Sequence, residues 1–396
     1  MIPELTPSLA LPQDAANALL IGRLWTPGLG PLLVRIQTDG VYDLSGLAST
    51  CSDLLDLPNV AAAVRQHHGP RVADVAQALA NSHAAERDVQ QPWFLAPCDL
   101  QALKAAGVTF VASMLERVIE EQARGDASKA ESVRAAVVAI MGDNLSKVKP
   151  GSAQAAQLKQ ALVAQGAWSQ YLEVGIGPDA EIFTKSQPMS ALGTGAVVGL
   201  HPQSEWNNPE PEIVLAINSR GETVGATLGN DVNLRDFEGR SALLLGKAKD
   251  NNGSCAIGPF IRLFDDTFTI DRVRQCELRM QVRGPDGFVL EGASSLTMIS
   301  RDPLDLAAQA WSKTHQYPDG LMLFLGTMFA PTQDRPLPGR PAGQGFTHVV
   351  GDVVRISTPD LGTLVNPVNT SDKIPPWTYG TRALMQDLAR RAKDAH

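Results

Sequence analysis

A chain of 396 residues with 44% hydrophobic residues can bury large cores, and its length sets a prior of roughly two or three domains. A formal net charge of −8 argues against nucleic acid or an anionic membrane as partner, and 5% aromatic residues argue against a surface that stacks carbohydrate rings or bases. Four scattered cysteines, Cys51, Cys98, Cys255 and Cys276, show no CxxC spacing, which suits a reducing cytoplasm.

The opening MIPELTPSLALPQD lacks a basic stretch followed by an apolar one, so no secretory signal is expected. No segment approaches the roughly 20 apolar residues of a membrane span. N-x-S/T matches at Asn144, Asn252 and Asn369 then read as chance. Residues 1–95 are expected to form a small, separate α+β domain. Within it ALLIGRLW and GPLLVRIQTDGVYDLSG read as strands, with a tight turn at Asp39-Gly40. VADVAQALANSHAAERD reads as a helix. The adjacent His67 and His68 have no ligand partner at a suitable spacing and read as a solvated turn.

Residues 96–396 are expected to form the main domain, entered through QQPWFLAPCDL. In GVTFVASMLERVIEEQARG, Phe110, Val111, Met114, Leu115, Val118 and Ile119 recur at helical spacing. Ser113, Glu116, Arg117, Glu120 and Glu121 take the other face, and Gly125 is the stop. Ser128 to Glu131 fits a capping box opening a second helix, and SAQAAQLKQALVAQG reads as a third. Residues 115–170 thus read as a helical insertion or lid. After about residue 170 the texture is β, with a hairpin turn at GPDG (284–287) and only two interrupting helices, RDPLDLAAQAWSKTH and GTRALMQDLARRAKDA. The absence of βαβ alternation excludes a doubly wound sheet.

The chemistry concentrates in three stretches. In NNPEPEIVLAI, Glu210 and Glu212 stand two residues apart at the mouth of an apolar strand, so both point to one face. GETVGATL reads as the returning strand after a turn at Arg220-Gly221, which brings Asp231 of GNDVNLRDFEGRS back toward the pair. Three converging carboxylates are stable only with a cation, and hard oxygen ligands suit Mg²⁺ or Mn²⁺. In LLLGKAKDNNGS, Lys247 and Lys249 lie between apolar runs. Either could be a base beside that cation or a surface ion-pair partner.

These stretches, with EIFTK, FLGTM and GDVVRISTPDLGTLVNPV, resemble the ordered motifs of the fumarylacetoacetate hydrolase family over roughly residues 96–385. The resemblance implies a β-rich mixed sandwich or roll with a helical insertion, within an α+β chain. It implies Glu210, Glu212 and Asp231 as metal ligands, Lys247 as the active-site lysine, and Thr327 as a substrate contact. Arg235 is implied as either a substrate contact or a structural ion pair. Family hydrolases carry G-x-N-Y-x-x-H-x-x-E, whose His and Glu activate water. Here Ser113 stands at the histidine position and Glu116 keeps the glutamate. A serine is no base near neutral pH, which puts hydrolysis in doubt but not binding of a 2-oxo acid.

The phrases KAAGVTF, WNNPEPE and GNDVNLRDFEGRSALLLGKAKDNN resemble one branch, the 2-keto-3-deoxy-D-pentonate (xylonate or arabinonate) dehydratases. The implied activity is Mg²⁺-dependent loss of water from a 2-keto-3-deoxypentonate to give 2,5-dioxopentanoate, with Lys247 as base and Glu116 as acid. The implied assembly is a homodimer or homotetramer. Competing readings are a C–C hydrolase of a diketo-deoxy sugar acid, an oxaloacetate-type decarboxylase, and a non-catalytic module with a structural metal. His315 and His348 read as structural, and Arg335 sits in a Pro-rich loop from which it could reach a substrate.

Overall fold

The computed structural model describes residues 4–83, 87–132, 134, 148–164 and 168–394. Its strands are β1 (Leu20–Thr26), β2 (Gly30–Gln37), β3 (Gly40–Asp43), β4 (Arg71–Ala73), β5 (Trp93–Phe94), β6 (Ala102–Gly107), β7 (Glu181–Ser186), β8 (Val198–Leu200), β9 (Asn207–Asn208), β10 (Pro211–Ile217), β11 (Thr223–Asp231), β12 (Asn233–Leu234), β13 (Cys255–Leu263), β14 (Glu277–Arg283), β15 (Val289–Ser295), β16 (Leu321–Phe324), β17 (Val353–Thr358) and β18 (Gly362–Thr370). Eleven strands make one sheet in the order β4-β3-β2-β1-β13-β11-β10-β16-β6-β7, with β5 added on β1. A second sheet runs β15-β14-β17-β18-β8, and β9 pairs with β12 in a short ribbon. Two pairs, β16–β6 and β18–β8, are parallel among otherwise antiparallel pairings, so the architecture is a mixed α+β one.

The apolar run after Glu212 becomes β10, every residue of which is buried. Alternation sends Ile213, Leu215 and Ile217 into a core shared with Leu278, Met280, Val282, Ile356 and Leu364 of the second sheet. Val214 and Ala216 face the opposite core, with Leu54, Val60 and Val64 from the short helices Cys51–Leu55 and Val60–Gln66. A strand covered on both faces reads as continuously hydrophobic, which is the pattern of EIVLAI.

The first 95 residues share a sheet with the rest of the chain. β1 pairs with β13, and β2 to β4 extend the same sheet that carries β10 and β11. The strands form as expected, but the tight turn falls at Thr38-Asp39, one residue before the expected Asp39-Gly40, and VADVAQALANSHAAERD shortens to a helix at Val75–Asn81 capped by Asp74.

The helix expected after Gly107 spans Val111–Gln122, and Gly125 follows it at φ 71°. Met114, Val118 and Ile119 pack on Tyr171, Leu172 and Ile176 of the helix Gln170–Ile176, and on Ala155 and Leu162 of the helix Ala153–Ala164. The cap expected at Ser128 is instead Asp126, whose carboxylate accepts the Ser128 N–H and opens a 3₁₀ turn at Ala127–Lys129. Most of the helix expected to follow, and Asn144, lie outside the described residues. The GPDG hairpin joins β14 to β15, and the two late helices form at Pro303–Ala310 and Thr381–Asp394. Among the described residues no helix is long and apolar enough to cross a membrane.

Leu215 is wholly buried between the two sheets. Leu215→Ala should cost about 2–5 kcal/mol, because the surrounding strands cannot collapse into the space. Urea unfolding measures it, and a loss under about 1 kcal/mol would mean that β10 is not the centre of the core.

Candidate active site

Antiparallel pairing of β10 with β11 sets the site. Glu212 lies opposite Gly229, Pro211 opposite Asn230, and the Asp231 N–H donates to the Glu210 carbonyl at 3.0 Å. Carboxylate oxygens of Glu210, Glu212 and Asp231 all lie within 4.8 Å of one another, and each residue is 1% exposed. The hairpin therefore delivers the convergence that the two runs imply.

Three cations meet this cluster. The Lys249 ammonium lies 2.7 Å from Glu210 and 3.1 Å from Asp231. The fully buried Lys185 lies 2.9 Å from Asp231 and also donates to the Lys249 carbonyl at 2.7 Å, tying the two together. Arg117 ion-pairs with Glu210. Behind it runs an alternating chain. Arg117 contacts Glu120 at 2.6 Å and Glu238 at 3.1 Å, and Glu120 in turn meets Arg235 at 3.2 Å.

Glu212 is the exception. It receives the Gly326 N–H at 2.7 Å and the Thr327 hydroxyl at 3.4 Å, but among the described residues no cation lies within ion-pair distance of it. Burial, and then the charges of Asp231 and Glu210, push its carboxyl well above the usual range. Burial works the same way on Glu210, but Arg117 and Lys249 outweigh it and hold that carboxylate down. Burial disfavours the charged Lys249, yet Asp231 and Glu210 keep it protonated well above a normal lysine. Five buried acids (Glu120, Glu210, Glu212, Asp231 and Glu238) face four buried cations (Arg117, Lys185, Arg235 and Lys249), so full ionisation leaves one uncompensated negative charge, and the half-buried Glu181 beside them adds a second. One divalent cation beside Glu212 would cancel them. The all-oxygen set of Glu210, Glu212 and Asp231 has the chemistry to hold it.

The geometry places two of the expected residues, Lys247 and Glu116, away from the carboxylates. Lys247 is exposed, with its ammonium 5.0 Å from the Phe237 ring centroid, while Lys249 is buried in the cluster. Residues two apart on the helix Leu245–Lys249 are about 200° apart around its axis, so only one of them can face inward. Glu116 is buried but turned to Arg134, which binds both its oxygens. Its neighbours Arg117 and Glu120 reach the cluster instead.

Ser113 is buried on the same helix and donates to the Phe110 carbonyl at 2.9 Å. Arg235 is a buried structural ion pair that also donates to Asn208 at 2.8 Å. Arg335 is 1% exposed and bound to Asp286 and Asp352, each at 2.8 Å, rather than extended toward the site. His348 belongs to that network, 2.8 Å from Asp352, and His315 is exposed.

Sequence reasoning missed Arg117, Glu120, Lys185 and Glu181. Glu181 shares a face of β7 with Phe183, whose ring lies 5.5 Å from the Lys249 ammonium. Its carboxyl makes no hydrogen bond among the described residues. Burial and then the charge of Glu238 push it up to about 7, against the opposing pull of Arg117 and Lys249. Gly107 stands opposite it in β6, where a Cβ would come 1.8 Å from the Glu181 carboxylate. The available signal was EIFTK itself, an acid two residues before an aromatic in a strand leading to Lys185.

Among curated proteins, the chain is 29% identical over 194 residues to the 2-dehydro-3-deoxy-D-arabinonate dehydratase of Saccharolobus solfataricus, covering 49% of this chain and 60% of that protein. It is 29% identical over 200 residues to a probable 2-keto-3-deoxyxylonate dehydratase of Haloferax volcanii, covering 50% of this chain and 64% of the other. The matches thus span less than two thirds of either relative. Among solved structures, a 2-keto-3-deoxy-D-arabinonate dehydratase superposes in its apo form with a TM-score of 0.60 at 20% identity, over 89% of this chain and 99% of that one. The same enzyme complexed with magnesium and 2,5-dioxopentanoate gives the same TM-score, identity and coverage. At that identity the likeness establishes the fold. Residues 159–369, more than half of the chain, match the family described as fumarylacetoacetate (FAA) hydrolase C-terminal, and on that match the chain belongs to the fumarylacetoacetate hydrolase family.

Proposed function

We propose that the chain is a Mg²⁺-dependent hydro-lyase that converts 2-keto-3-deoxy-D-pentonates of the xylonate or arabinonate type to 2,5-dioxopentanoate, with Mn²⁺ able to replace Mg²⁺. The observation that carries this reading is Glu212, a buried carboxylate without a cation among the described residues, grouped with Glu210 and Asp231. The dehydratase names of both curated relatives support it.

A divalent ion held by Glu210, Glu212 and Asp231 would polarise the carboxylate and 2-oxo oxygens of the acid and so acidify its C3 hydrogens. Lys249 is the base, because its nitrogen meets both Glu210 and Asp231 and lies beside the Phe183 ring, and a divalent ion on those carboxylates would offset the negative charge that keeps its ammonium protonated. Glu181, rather than Glu116, is the acid. A carboxyl pushed up to about 7 still carries a proton near neutrality, whereas Glu116 is clamped by Arg134. Lys249 takes one C3 proton, and Glu181 protonates the C4 hydroxyl as it leaves as water. Transfer of one proton from C5 to C3 gives the C4–C5 enol, whose hydroxyl proton then moves to C4 to give the aldehyde. The Thr327 hydroxyl, fixed beside Glu212, is placed to orient the substrate. Ser113 offers no imidazole for C–C hydrolysis, and its hydroxyl is committed to Phe110. We also propose a homodimer or homotetramer, which light scattering measures, in the cytoplasm, where four buried free thiols are stable.

Incubation with 2-keto-3-deoxy-D-xylonate or 2-keto-3-deoxy-D-arabinonate and Mg²⁺ should yield 2,5-dioxopentanoate, and EDTA should abolish it. Pyruvate or another short acid as the product would replace this reading with C–C cleavage. Lys249→Met should lower kcat by at least about 10²-fold, while Lys247→Ala stays within about threefold of the parent. The reverse ranking would restore Lys247. With Glu181 acting in its protonated form, kcat should fall as pH rises through about 7, as Glu181 ionises beside Glu238, Arg117, Lys249 and Glu210. Glu181→Gln should remove most of the activity. A variant with near-parental rate and the same descending limb would reject the acid role.

A further inference from the structure

Three of the chain's six tryptophans and one of its four tyrosines line one cavity of about 360 Å³, away from the carboxylate site. The sparse aromatic composition therefore conceals a local concentration. Trp25 and Trp93 are cross-strand partners in β1 and β5, and their rings stack 5.5 Å apart at 22°. Tyr379 meets Trp25 edge-on at 5.3 Å, and its hydroxyl donates to Asp387 at 2.5 Å. The Trp377 indole N–H donates to the Tyr379 carbonyl at 3.0 Å, which fixes the rim.

The charge in this cavity has one sign. Arg23 and Arg87 line it, and among the described residues no Asp or Glu does. Arg23 is already committed, 3.6 Å from Asp99 and donating to the Cys98 carbonyl at 2.6 Å. Arg87 lies over the Trp93 ring at 4.9 Å and donates to the Ser82 carbonyl at 2.9 Å. Among the described residues it meets no carboxylate at ion-pair distance. Burial lowers the Arg87 pKa.

A guanidinium that meets no carboxylate among the described residues, beside indole faces, complements an anion with a flat body. The volume falls within the range of small-molecule sites. None of the cluster's acids or lysines lines the cavity, so it is separate from the proposed dehydratase site. We propose that this cavity binds a small anion bearing a planar ring, of the class of aromatic carboxylates or mononucleotides. The ring would lie against the indoles, and the anionic group would face Arg87.

Calorimetric titration of the full chain with benzoate and with AMP tests this, with inorganic phosphate and benzyl alcohol as controls. At least one ring-bearing anion should bind saturably with a Kd below about 1 mM, and its identity separates an aromatic acid from a nucleotide. Arg87→Met should weaken binding by about tenfold or more. Trp377→Ala should do the same, and at an exposed rim position it leaves the fold intact. The proposal is overturned if neither anion binds below about 10 mM, if phosphate alone binds as tightly, or if both variants match the parent. Binding that disappears as the protein is concentrated would show a second copy filling the cavity, and would overturn it equally.

Discussion

The cost of burying negative charge organises this protein. Glu210, Glu212 and Asp231 are each 1% exposed, and an isolated carboxylate in such a place would take up a proton rather than stay charged. Lys249, Lys185 and Arg117 offset Glu210 and Asp231 by direct contact. Among the described residues, Glu212 gets only a backbone N–H and a hydroxyl. The unbalanced group is thus singled out by the groups that are balanced around it. A solvated acidic patch would not single out one member, because water would satisfy every carboxylate alike.

Several elements are placed by this requirement rather than by hydrophobicity alone. The helix Val111–Gln122 has two buried faces. Its apolar side packs on the helices Gln170–Ile176 and Ala153–Ala164, and its charged side lies over the carboxylates, with Glu120 1% exposed. A charged helical face ordinarily looks to water. Here it meets partners of opposite charge, since Arg117 spans Glu120, Glu210 and Glu238. Gly107 is likewise set by a carboxyl, because a side chain there would displace Glu181.

What could be read from the sequence follows from which contacts are local. The β10–β11 hairpin joins runs separated by one short turn, and period-two alternation alone puts Glu210 and Glu212 together with Asp231 opposite. The charged helix face could not be assigned, since nothing in ERVIEE says whether its partners are waters or Glu210, some 90 residues on. Lys247 and Lys249 are chemically identical in a five-residue helix. Only the packing of Ala248 and Phe183 chooses between them. The sheet order was hidden for the same reason. β1 pairs with β13, more than 200 residues later, so a composition-based boundary near residue 95 falls inside one continuous sheet.

The shared contacts also determine how the site responds to change. Lys249 touches two acids and Arg117 three, and Lys185 ties Asp231 to the backbone of Lys249. Removing one cation strands several buried carboxylates, whereas removing a cation together with one of its acids relieves part of that cost. Substitutions here are therefore coupled, and the loss from Arg117 is not its contact with Glu210 alone. The same coupling bears on how a chain of net charge −8 would draw in the anionic substrate of the proposed reaction. The cations are spent on internal pairs, so attraction at Glu212 has to come from a charge bound there. On the proposed function, occupancy of that position, rather than the protein's overall field, would decide whether a 2-oxo acid can enter.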